Sequence, residues 1–193
     1  MNQDSYSNQL LVPPSQRDHY QGTLNAPVVL VEYGNYECSQ CGELHQLIKV
    51  IQQHFTSNFP EENRICVVFR HFIENTLHPR AQKVAEAVEA AAAQGQFWQM
   101  HDLLFTHQHA LENGFLVEYA DSLGLDISKF LQDISTQAHI GRINQNIESG
   151  YQSGVTATPA LFINGIRYSV GVARRRHRWT VEQIMAAIVA VIH

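Results

Sequence analysis

At 193 residues the chain is long enough for one domain, or for one domain carrying a large insertion. Apolar residues make up 45% and charged residues 16%, which excludes a disordered chain and permits a sizeable core. A net charge of −5 speaks against a nucleic-acid binder, and no run of about 18 apolar residues exists to cross a membrane.

The N-terminal stretch MNQDSYSNQLLVPPSQRD is polar and contains Pro13-Pro14. It reads as a flexible arm over residues 1–20. It lacks the basic start and the apolar stretch of about 7–15 residues that a secretory signal needs, so the expectation is a cytoplasmic protein. Val28 to Val31 is an apolar run rich in β-branched residues and suits a strand buried on both faces. From Ser39 the period changes. Leu44, Leu47, Ile48, Ile51 and Phe55 fall on one face of a helix. Ile65 to Phe72 reads as a second buried strand.

About eighty residues of helical composition follow. Pro79 suits a first helical turn, with Ala81, Val84, Ala85, Val88 and Ala92 on one face. Gly95 breaks that helix. Further helices are expected over Phe97 to His107, Phe115 to Leu123 and Ile127 to Ile134. Ile140, Ile143, Ile147 and Tyr151 mark a fifth. The β signal returns at Ala160 to Ile163, and Asn164-Gly165 before Ile166 to Val170 is a hairpin signal. A last helix is expected from Val181 to Ile192, with Thr180 as its N-cap. The order predicts an α/β fold with a mixed sheet. Residues 21–73 and 153–193 form it, interrupted by an all-helical insertion at about 74–152.

The chain has three cysteines, Cys38, Cys41 and Cys66. So few do not suit a disulfide scaffold, whereas Cys38 and Cys41 are spaced C-x-x-C, which points to redox chemistry or half a metal site. Their position narrows the choice. They lie at a strand–loop–helix junction, where spacing of three brings both sulfurs together. The first faces unpaired backbone N–H groups and the positive end of the helix dipole. A dipole contribution of about 0.3–1 kcal/mol, ~2 at best, lowers a thiol pKa by roughly one unit. Glu37 directly precedes Cys38 and opposes that shift. Neither Ser39 nor Gln40 brings a cation, although the Ser39 hydroxyl is a candidate donor to the sulfur. The expectation is a moderately lowered pKa for Cys38. Glu32 lies inside an apolar strand run, where desolvation raises a carboxyl pKa.

The stretch GTLNAPVVLVEYGNYECSQCGELHQL resembles the active-site segment of the DsbA-like thioredoxin family. RICVVFRHFIENTLHPRAQKVAEAVEAAAAQGQFWQMHDLLF resembles that family's next strand and inserted helices, and SGVTATPALFINGIRY its proline loop and hairpin. Together they cover most of residues 21–170 in the family's order. The resemblance implies a thioredoxin-like fold and thiol–disulfide exchange. It implies that Cys38 attacks and Cys41 resolves. It implies that Pro159, preceded by Thr158, is the cis-proline facing the disulfide, beside which an extended substrate pairs with the Thr158 backbone. Glu32 matches the buried acid, a proton carrier for Cys41. The family often has Pro after the first cysteine and an aromatic residue or His before the second. Here these are Ser39 and Gln40, so the direction of exchange is not assigned. The substrates implied are protein thiols or disulfides, together with a partner that recycles the site. No cofactor is implied, and glutathione is a second candidate co-substrate.

Other readings remain open at this point. A tetrahedral metal site needs four ligands, and one C-x-x-C with His45 a turn later falls short, so no metal is expected. A glutathione-dependent isomerase or transferase of the same fold does not need both cysteines. A redox-sensing binding module would associate with a partner without turnover. Cys66 reads as core filler, and His101, His107 and His109 as packing or surface residues. Phe97, Trp98 and Met100 read as helix packing, and Arg174 to Arg178 as a solvated basic loop.

Overall fold

A computed structural model describes residues 8–59, 64–73, 80–169 and 179–192. The central strand β2, Val28–Gly34, is apolar on both faces because both are covered. It pairs in parallel with β3, Ile65–His71, and antiparallel with β4, Ala160–Ile163. A short strand β1, His19–Gln21, adds to the outer edge of β3, and β5, Ile166–Tyr168, to that of β4. The sheet order is β1-β3-β2-β4-β5, mixed as expected. The β4–β5 turn is Asn164-Gly165 with both φ angles positive, the conformation that a two-residue hairpin of the right twist requires. The Asn164 amide also clips the turn to β2, accepting from Val29 N at 2.8 Å and donating to Pro27 O at 2.9 Å.

Strand alternation sends Val28 and Leu30 to one face and Val31 and Tyr33 to the other. The first face is covered by α1, Ser39–Asn58, through Leu44, Ile48, Ile51 and Phe55. The C-terminal α7, Val181–Ile192, covers it through Ile184 and Ile188. The Thr180 hydroxyl accepts from Gln183 N as the expected cap of α7. By the same alternation Glu32 follows Leu30 onto the α1 face.

Between β3 and β4 lie α2 Ala81–Ala92, α3 Phe97–Thr106, α4 Asn113–Ser122, α5 Ile127–Ser135 and α6 Ile140–Gln152. The expected boundaries shift by one or two residues, and α4 begins at Asn113 rather than Phe115. Pro79 lies outside the described residues, as do Arg174 to Arg178. Helix α2 is buried nearly all round because α3, α5, α4 and α6 all pack on it. Its alanines permit that close approach. The core of these helices, including Val88, Met100, Leu104, Leu116 and Phe130, is continuous with Phe69 of the sheet and with Cys38 and Cys41.

The expected flexible arm is a correction. From Gln9 onward the segment is tied to the sheet. Gln9 bridges to Ile166, and Leu10 N donates to Gly165 O. The cause is Arg70, 2% exposed on β3. A buried guanidinium must fill its donors. Those donors reach Asp18 Oδ1 at 2.7 Å, Val12 O at 2.8 Å and Pro13 O at 3.2 Å. Arg70 sits mid-strand and nothing in the local pattern announces its partners fifty residues away. Among the described residues no helix is long and apolar enough to cross a membrane.

Candidate active site at the start of helix α1

The loop from β2 to α1 is shaped by Asn35, whose Oδ1 accepts from Glu37 N at 2.9 Å and whose carbonyl accepts from Cys38 N at 3.1 Å. That turn delivers Cys38 to the N-cap position of α1 with extended backbone. Its sulfur accepts from Cys41 N at 3.3 Å, as an N-cap oxygen would. The Cys38 thiol also donates to Thr158 O at 3.6 Å. Thr158–Pro159 is a cis peptide bond, half-buried ahead of β4. Cys38, Cys41, Thr158 and Pro159 thus converge on one spot. Cys38 is 7% exposed and Cys41 fully buried, so only the first sulfur is open to attack.

The electrostatics separate the two thiols. The Cys41 side chain, hydrogen-bonded to the Cys38 sulfur, is the largest influence bringing the Cys38 pKa down to about 6. Burial opposes it, and Thr158 and the N–H groups of Cys41 and Gln40 add to the lowering. Burial pushes the Cys41 thiol well up, with its bond to Cys38 and the Glu32 charge acting in the same sense. At neutral pH the first sulfur is a thiolate and the second holds its proton.

Glu32 is 3% exposed, and its Oε1 has no hydrogen-bond partner. Burial first, then the Cys38 charge, raises its pKa to about 8. Gly34 makes room for it: a Cβ there would stand 2.9 Å from Glu32 Oε1 and 2.6 Å from the Phe69 ring.

The remaining expected residues sort differently. The Glu37 carboxylate accepts from Arg80 N at 2.9 Å and from Arg80 Nε at 3.0 Å, so its charge is countered. Ser39 and Gln40 are exposed on the first turn of α1. The sulfur takes backbone N–H groups rather than the Ser39 hydroxyl. Cys66 lies on the opposite face of the sheet among Val31, Tyr33 and Val68, its pKa pushed up to about 11 by burial. His107 stands between His109 and Tyr119, whereas His101 is buried under the site.

Three contributors escaped the sequence reading. Gln108, in the α3–α4 loop, donates through Nε2 to Tyr36 O and Cys38 O, both at 2.8 Å. It lies across Gly42, where a Cβ would stand 2.2 Å from Gln108 Oε1. Tyr36 is buried and bonds His101 Nδ1 at 2.9 Å. Arg80 neutralises Glu37. All three act across tens of residues, and no local spacing marks them.

A family model described as thioredoxin matches residues 15–188. The Na(+)/H(+) antiporter NhaA 3 of Salinispora tropica is 38% identical over 94% of this chain and 26% of its own length. An antiporter NhaA 1 of Mycolicibacterium vanbaalenii is 40% identical over 79% of this chain and 24% of its own. The chain therefore spans about a quarter of the length of the curated relatives it matches. Among solved structures, oxidised BdbD from Bacillus subtilis superposes with a TM-score of 0.76 at 18% identity, covering 96% of this chain and 98% of that one. Alpha-DsbA1 of Wolbachia pipientis gives 0.75 at 19% identity, covering 94% of each. With the sheet, the helical insertion and the family match over most of its length, the chain belongs to the thioredoxin family and has the DsbA-like form of its fold.

Proposed function

We propose that the chain exchanges dithiols and disulfides with protein substrates through Cys38 and Cys41. The observation that supports this most is the split between a thiolate at a helix N-terminus, 7% exposed, and a fully buried, protonated thiol three residues on. As reductant, the Cys38 thiolate attacks a substrate disulfide sulfur. The substrate S–S bond breaks, one substrate thiolate leaves, and a mixed disulfide forms. The mixed disulfide removes the Cys38 charge that helps hold the Glu32 proton, the ionised form of Glu32 takes the Cys41 proton, the Cys41 thiolate attacks Cys38, and the second substrate thiolate departs. The chain is then oxidised and the substrate reduced by two electrons. As oxidant the steps run in reverse. A pKa of about 8 suits Glu32 to hold or release a proton near neutrality. The half-buried backbone at Thr158 would pair with an extended substrate as an added strand. A recycling partner, or glutathione, restores the starting state. This reading concerns the unit that the chain shares with its antiporter relatives.

Dithiothreitol-driven reduction of insulin, and oxidative refolding of a reduced protein, test this. Turnover should fall to background in Cys38→Ser and in Cys41→Ser, with the latter accumulating a mixed disulfide detectable by mass. Full turnover without Cys41 would favour an isomerase or transferase of the same fold. Oxidation-dependent association without turnover would favour a sensing module.

A further inference from the structure

Beneath the first two turns of α1 lies a second cluster of ligating side chains. His45 on α1 and His101 and Asp102 on α3 each bring one donor atom, and these atoms lie within 4.8 Å of one another. Neither cysteine belongs to the cluster. His45 Nε2 stands 3.4 Å from Asp102 Oδ1. A tetrahedral ion with bonds of about 2.0–2.1 Å holds its donors roughly 3.3 Å apart, so this pair already has the required spacing. We propose that His45, His101 and Asp102 form a binding site for one divalent transition-metal ion of the zinc class.

Three further observations support it. Asp102 Oδ1 is buried and has no hydrogen-bond partner, the state a metal ligand has before its ion arrives. Its other oxygen is held by Lys49 Nζ at 2.6 Å, which fixes the carboxylate while leaving Oδ1 free. Both imidazoles are buried and held by neighbours: His45 stacks on Phe105, and Tyr36 Oη bonds His101 Nδ1 at 2.9 Å. A ligating histidine is oriented by such a bond to its other nitrogen, and Nδ1–H donated to Tyr36 leaves Nε2 with its lone pair. A cavity of about 10 Å³, room for one water or ion, opens among these residues and Glu32. Two imidazoles and one carboxylate with an open position suit zinc, cobalt or iron(II) rather than calcium or magnesium, which take oxygen ligands. The Lys49 charge weakens the site without blocking it.

The test uses chelator-treated protein with Cys38 and Cys41 oxidised to a disulfide, so that their thiolates do not compete. Calorimetric titration with zinc(II) should show one saturable site per chain. Cobalt(II) should give visible ligand-field bands without thiolate charge transfer. His45→Gln should abolish this binding. The half-exposed Asp102→Asn, whose thermal melt checks the fold, should weaken it about tenfold or more. A His107→Gln/His109→Gln variant should bind as the parent does. No binding by the oxidised protein, undiminished binding in both site variants, or loss in the His107/His109 variant would each overturn the proposal. None of these outcomes bears on exchange at Cys38.

Discussion

Glu32 is the acid whose burial should register most sharply in stability. Its pKa in the fold is about 8 against 4.5 outside it, from burial first and the Cys38 charge second. The folded state therefore binds more protons between those two values, and stability falls as pH rises through the window. Each unit is worth about 1.4 kcal/mol, so roughly 3 kcal/mol is lost between about pH 4.5 and pH 7. Glu32→Gln removes the charge at nearly constant shape. Urea unfolding of the disulfide-bonded parent and variant across this range isolates the effect. The titrations of His45 and His101 cancel in the difference, and Cys38 cannot ionise. The two should be equally stable at the acid end, and the variant more stable by up to roughly 3 kcal/mol at neutrality, burial alone acting once the Cys38 charge is gone. A difference that stays flat with pH would refute the reasoning.

The thiolate absorbance of Cys38 should titrate near 6. It should move up in Cys41→Ala, and a midpoint at the ordinary value of about 8.5 in the parent would contradict the site's electrostatics. Arg80→Ala should also raise that midpoint, by a fraction of a unit, because it frees the Glu37 charge beside the sulfur. Gln108→Ala breaks two hydrogen bonds at the active-site loop and should cost about 1–3 kcal/mol in denaturant unfolding. Arg70→Met strands the buried Asp18 carboxylate and should cost about 3–5 kcal/mol, with residues 9–18 becoming protease-sensitive.

The elements that could be read from the chain are those whose cause is local. Val28 to Val31, the Leu44–Phe55 stripe and Asn164-Gly165 announce themselves by period or turn chemistry, and the structure places all three as expected. Cys38 and Cys41 could be placed at a helix start for the same reason. What escaped depends on distant partners. β1 is three residues long and exists because β3 offers an edge and Arg70 demands acceptors. Glu37 looked like an unfavourable charge because Arg80, which absorbs it, follows 43 positions later. His101 looked like one of several scattered histidines because only the packing of α3 on α1 brings it to His45. The expected donor Ser39 lost to backbone N–H groups that every helix start supplies.

A reversible bond between Cys38 and Cys41 is the central claim, and equilibration in graded glutathione buffers measures it directly. Mass-resolved thiol labelling should show these two cysteines alone passing from reduced to disulfide-bonded along a single two-electron curve, with Cys66 unlabelled in the folded protein throughout. Two thiols that stay reduced in every buffer, or a bond that includes Cys66, would contradict it.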